Sequence, residues 1–185
     1  DHFNWLGCFD EPARIMIRLQ RAFGMRFEES AKFDARSVDD YTKIKVLPIV
    51  NGTKGGRTRE VPMCMSAQFE TLRAAQRYQR SGRSLIPEEM TYAEFRRQCY
   101  RIANGNDIRF HRQRHTYAYL RYKRVLGAEC PVMAGVPHGQ PHIEWLARQL
   151  KISEAEAKER DQKVRAQIAQ ELGHSRIEVT NAYLG

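Results

Sequence analysis

The chain has 185 residues, of which 42% are hydrophobic and 29% charged, a balance that suits one globular domain and excludes a fibrous or low-complexity protein. No apolar run approaches the roughly 20 residues that span a bilayer, so no membrane partner is expected and the cytoplasm is the expected compartment. The net charge of +9 points towards a polyanionic partner.

In chain order, Glu11 to Phe23 carries Ile15, Ile17, Leu19 and Phe23 among basic residues and predicts a helix ended by Gly24. A second short helix is expected from near Met25 through Glu28, Glu29 and Ala31. The period then changes: Ile44, Val46 and Val50 form one strand pattern and Thr58 to Met63 another, on either side of the turn-rich NGTKGGR. This predicts a β-hairpin, with Pro48 marking an exposed edge. Helices follow over Ser66 to about Arg80, from Thr91 (capped, with Glu94 three residues on) to about Ile102, and from near His111 to Leu126. The Gly- and Pro-rich stretch GAECPVMAGVPHGQPH is expected to be a loop. Ser153 then caps a helix with Val164, Ile168 and Leu172 on one face; its five basic and five acidic residues from Lys151 to Glu171 cancel, which makes it a poor DNA surface. The class is α+β, mainly α-helical, with a small antiparallel sheet.

Between Arg96 and Arg124 nine Lys/Arg face one acid, Asp107, with Tyr100, Phe110, Tyr117, Tyr119 and Tyr122 interleaved. Such a run suits a nucleic-acid surface or a solvated face with rings packed beneath it. The four cysteines, Cys8, Cys64, Cys99 and Cys130, stand far apart without a CxxC pair and read as reduced thiols. Cys130, His138 and His142 lack a zinc spacing and read as loop residues, so neither a metal nor a cofactor is expected.

Four pieces carry chemistry: GMRFEES (24–30), TKGGRTREVP (53–62), HRQRH (111–115) and LGHSRIEVTNAYLG (172–185). Singly, Arg26 with Glu29 reads as a surface ion pair and Lys54 as a solvated lysine at a hairpin tip. His111 and Arg114 suit function or solvent equally, and LGHS with Tyr183 nine residues after His174 is the most specific. Taken together and in this order, the pieces resemble the catalytic domain of the tyrosine recombinase, or phage integrase, family.

The resemblance implies the fold of the DNA breaking-rejoining enzymes and a site-specific recombinase that works through a 3′-phosphotyrosine, for integration or excision of a mobile element. It implies Arg26, Lys54, His111, Arg114, His174 and Tyr183 as catalytic residues, with Glu29 supporting them and Arg57, Arg59, Arg109, Arg112 and His115 as further DNA contacts. The residue types suit the task. Two guanidiniums can hold the non-bridging oxygens of one phosphate by fork-like charged hydrogen bonds and stabilise the added charge of a pentacoordinate transition state. His174 adds a donor, and His111 is a proton carrier for the phenol. A phenol with an ordinary pKa of about 10 needs nearby cations to ionise at neutral pH. Lys54 is placed to protonate the departing 5′-oxygen.

Double-stranded DNA is the implied partner, with a homotetramer on DNA for the full-length protein and a monomer for an isolated fragment. The domain is expected to span 1–185. Arg114 and His174 lie 60 residues apart, more than compact relatives use, so about 127–165 is expected to be an insertion. No room is left for the family's amino-terminal core-binding domain, and a chain beginning at Asp1 reads as excised from a longer one. The rivals are a type IB topoisomerase, separable by plasmid relaxation, and a non-catalytic DNA-binding protein, separable by the absence of a covalent adduct.

Overall fold

The computed structural model describes residues 4–185 and is mainly helical, with one two-stranded antiparallel sheet among the described residues. The chain divides into two compact units, the first ending at Arg114 and the second beginning at His115.

In the first unit, α1 (Glu11–Phe23) packs against α4 (Ser66–Gln79). Asp10 caps α1 by accepting from the Ala13 amide at 3.2 Å, and Gly24, at φ 61°, ends it in the left-handed conformation that disfavours residues with a Cβ. Ile15, Met16, Ile17, Leu19 and Phe23 of α1 and Leu72 and Ala75 of α4 are buried. Buried glutamines tie the loops to this core. Gln68 accepts from the Cys64 and Met65 amides and donates to the Ala22 and Pro62 carbonyls, while Gln79 bridges Phe33 and Ala35.

Between these helices lie α2 (Phe27–Ala31), α3 (Val38–Ile44), β1 (Val46–Ile49) and β2 (Arg59–Pro62). The strands pair Leu47 with Val61 and Ile49 with Arg59. Side chains alternate across a strand, so Leu47, Ile49, Arg59 and Val61 share the buried face. Two details differ from the sequence pattern. Ile44 ends α3, 66% exposed, instead of opening the strand, because Lys45 turns into the left-handed region at φ 56° and the extended run starts only at Val46. The second helix begins at Phe27, since Arg26 is still extended. The first unit continues with α5 (Tyr92–Gly105), opened by the expected reciprocal cap between Thr91 and Glu94, and the first turn of α6 (Phe110–Leu126).

The second unit holds the rest of α6, then α7 (Pro131–Ala134), α8 (Gln140–Leu150), α9 (Glu154–Glu171), a 3-10 turn at Ile177–Thr180 and the single turn α10 (Asn181–Leu184). The stretch expected to be a loop contains α7 and the start of α8. Pro131 and Pro141 lie in the first turns of these helices, where an amide has no intrahelical partner to lose, so proline opens them and does not break them. Ser153 accepts from the Glu156 amide at 3.2 Å and caps α9 as expected, and Val164, Ile168 and Leu172 are buried. Among the described residues, no helix is long and apolar enough to cross a membrane.

Candidate active site

The first unit gathers three arginines around one carboxylate and one carbonyl. Where α1 ends at Gly24, the chain passes the buried Met25 and presents Arg26 as the cap of α2, with Glu29 in its first turn. The Glu29 carboxylate accepts from the Arg26 amide at 2.6 Å and from the Arg26 guanidinium at 2.9 Å. Arg59 reaches the same carboxylate with both arms, at 2.7 Å each, and donates to the Gly24 carbonyl at 3.3 Å. That carbonyl also accepts from Arg114 on α6. Glu29 and Arg59 have almost wholly buried side chains, whereas Arg26 is 30% exposed and can meet a ligand while still tethered.

The electrostatics follow from this packing. Burial by itself raises the Glu29 pKa, but the hydrogen bonds and charge of Arg59, then those of Arg26, outweigh it and hold the carboxyl below its ordinary value. His111, on the same helix as Arg114, is exposed, yet its pKa is lowered by partial desolvation of the ring and then by the charges of Arg114 and Arg26, which favours the neutral imidazole. Lys54 is exposed on the hairpin tip, outside the Glu29 cluster. The base of its loop is fixed by Gly52, at φ 69°, where a Cβ would lie 2.8 Å from the Glu28 carbonyl oxygen. The loop, which joins β1 to β2, is therefore packed closely on α2 at this point.

In the second unit, the Leu-Gly-His segment ends α9. Gly173, at φ 70°, donates to the Gln170 carbonyl at 2.9 Å, and His174 donates to that of Ala169 at 2.8 Å. This is the double-bonded helix stop that needs glycine at the left-handed position, and it sets where His174 leaves the helix. The last turn of α9 is anchored to α6: Glu171, 4% exposed, accepts from Tyr117 at 2.6 Å and from Arg121 at 2.9 Å. Tyr183 on α10 is 6% exposed, with the His115 ring 4.6 Å and the His174 ring 5.5 Å from its own, centre to centre.

Thus Arg26, Glu29, Arg59 and Arg114 share partners, with His111 in the field of Arg26 and Arg114, and His115, His174 and Tyr183 form a second group. Of the other expected DNA contacts, Arg57, Arg109 and Arg112 are exposed, Arg109 lying 3.4 Å from Asp107. Arg59 lies inward because it shares a strand face with Val61, a period-two signal visible in the sequence. Sequence reasoning also missed the buried polar set on α9, namely Asp161, Arg165 and Glu171. Asp161 and Arg165 stand one turn apart beside the Val164–Ile168 stripe, and that spacing was the available sign. His142 is buried, bonded to the Glu129 carbonyl at 3.1 Å and stacked on Trp145. Among the described residues, no group of three or more His, Cys, Asp or Glu is placed to hold a metal ion.

A family model described as Integrase matches residues 6–120. The match takes in Arg26, Glu29, Lys54, Arg59, His111 and Arg114, and ends before His174 and Tyr183. No curated protein matches the chain.

Proposed function

The chain belongs to the phage integrase family of tyrosine recombinases, and from that premise we propose that it cleaves and rejoins DNA through a 3′-phosphotyrosine at Tyr183, in the integration or excision of a mobile element. The observation that carries this reading is the first unit's cluster. Glu29 and the Gly24 carbonyl collect the guanidiniums of Arg26, Arg59 and Arg114, and a single carboxylate shared by two arginines leaves a net positive charge where a phosphate is to bind.

In the proposed reaction Arg26 and Arg114 hold the two non-bridging oxygens of the scissile phosphate, and His174 donates to the same group. The Tyr183 oxygen attacks phosphorus while its proton passes to neutral His111. The bond from phosphorus to the 5′-oxygen breaks, and Lys54 protonates the leaving oxygen. The products are a 3′-phosphotyrosyl ester and a free 5′-hydroxyl, and the reverse attack by a 5′-hydroxyl reseals the strand. Neither a metal ion nor a cofactor enters these steps. Arg59 is assigned to holding Glu29, and Glu29 to holding Arg26. Arg57, Arg109 and Arg112 are assigned to backbone contacts on double-stranded DNA, and His115 to packing on the nucleophile's ring. Strand exchange between two duplexes requires four protomers.

A nicked suicide substrate tests the assignment. Wild-type protein is expected to form a covalent DNA adduct resistant to denaturation, and Tyr183→Phe to form none. An adduct that survives the substitution, or none with the wild type, overturns it.

A further inference from the structure

Resting on the assignment of Tyr183 as nucleophile, we infer that Arg165 is a positioning residue for that tyrosine, gripping the turn that carries it on both sides. The turn that carries Tyr183, α10, is four residues long. A single turn has almost no stability of its own, because its ordering entropy is offset by only one or two hydrogen bonds. Tertiary contacts therefore contribute to holding it in place.

Arg165 supplies them from α9, where it is 3% exposed. Its Nη1 donates to the Asn181 side-chain oxygen at 2.9 Å and its Nη2 to the Gly185 backbone oxygen at 3.2 Å. These acceptors stand two residues before and two residues after Tyr183. The guanidinium is itself held: Nε donates to Asp161 at 2.8 Å, and the other oxygen of Asp161 accepts from the buried Tyr122 hydroxyl. A planar fork held at each of its three nitrogens has one orientation, unlike an ammonium on a flexible stem. Gly185 is seated against α7 as well, where a Cβ would lie 2.7 Å from the Val132 side chain. In-line attack tolerates little error in the place of the nucleophile, so a tether bracketing the tyrosine acts on the chemical step.

The test measures single-turnover cleavage of the nicked substrate at saturating DNA with the full chain. Asn181→Ala removes one arm at an exposed residue, and Arg165→Lys keeps the charge beside Asp161 but cannot reach both acceptors. We expect cleavage to slow roughly tenfold in N181A and roughly 100-fold in R165K, with DNA affinity within about twofold of wild type. Asn181→Asp, which keeps an acceptor for Arg165, is expected to retain the rate. In the R165K background N181A is expected to add nothing, the non-additivity of two groups acting through one contact. Faster amide exchange at 181–185 in both single variants is the second readout, one that does not depend on cleavage. Wild-type rates and exchange in N181A and R165K, with Y183F still unable to form the adduct, overturn the role of Arg165 and leave the nucleophile assigned. An adduct in Y183F instead overturns the nucleophile.

Discussion

Two regions of this molecule build sites from the same materials, arginines and buried carboxylates, and reach different charge balances, one positive and one neutral. In the first unit Glu29 is shared by Arg26 and Arg59. In the second each of the two buried arginines has a carboxylate, Arg121 with Glu171 and Arg165 with Asp161. A buried ion pair adds little stability beyond its desolvation cost, but it fixes geometry. The paired set accordingly reads as scaffold, holding the end of α9 and the turn that bears Tyr183. The shared set reads as a receptor, because it leaves positive charge on Arg26, whose side chain is part-exposed.

The largest expected effect strikes the receptor side. Arg26→Ala and Arg114→Ala are each predicted to slow adduct formation by about 10²–10³-fold, the usual cost of losing one donor to a developing charge. Arg121→Ala in the scaffold is predicted to act through stability first. Single-turnover cleavage beside thermal melting separates these outcomes, and equal rate losses at unchanged stability in all three would erase the contrast.

Next in size, Glu29→Gln leaves Arg59 buried without its anion and is predicted to destabilise the protein by about 3 kcal/mol, measured by urea unfolding at neutral pH. The sign of its pH dependence follows from the depressed Glu29 pKa. The wild-type carboxylate's contribution is fully present above its unfolded-state pKa and is lost as pH falls through the lower folded value. The gap between wild type and E29Q must therefore narrow in acid, and a gap that widens there contradicts the assignment.

A smaller effect concerns His111, lowered by partial desolvation and by the charges of Arg114 and Arg26. As a base it works when neutral, so cleavage is predicted to fall on the acid side with a midpoint below the ordinary histidine value of about 6.5. The limb should vanish in His111→Ala. A midpoint above the ordinary value would mean that the two arginine charges are not felt there. Smallest of all, Ser153→Ala removes the cap of α9 and is predicted to cost about 1 kcal/mol in stability while cleavage by the folded fraction is unchanged. A large rate loss would show that the far end of α9 also governs the tail.

Local chemistry made much of this protein legible in one dimension. The Gly24 end of α1, the Thr91 and Ser153 caps and the Val164, Ile168 and Leu172 face follow from short-range hydrogen bonding and helical periodicity, and the structure has each of them. The four motif pieces were visible for the same reason, since each is a contiguous run with its own turn chemistry, such as the glycine that ends α9 before His174. The α7 and α8 starts were hidden because Pro and Gly signal a loop and a helix entry alike. What only tertiary structure decided is which charges are buried and which distant partner each arginine meets. Arg59 lies 30 residues from Glu29, and Arg114 lies 90 from the Gly24 carbonyl. Pairing over such separations is fixed by how helices and hairpin pack, and no local rule encodes it. The same holds for Arg165, whose hydrogen bonds to Asn181 and Gly185 join residues 16 and 20 positions apart.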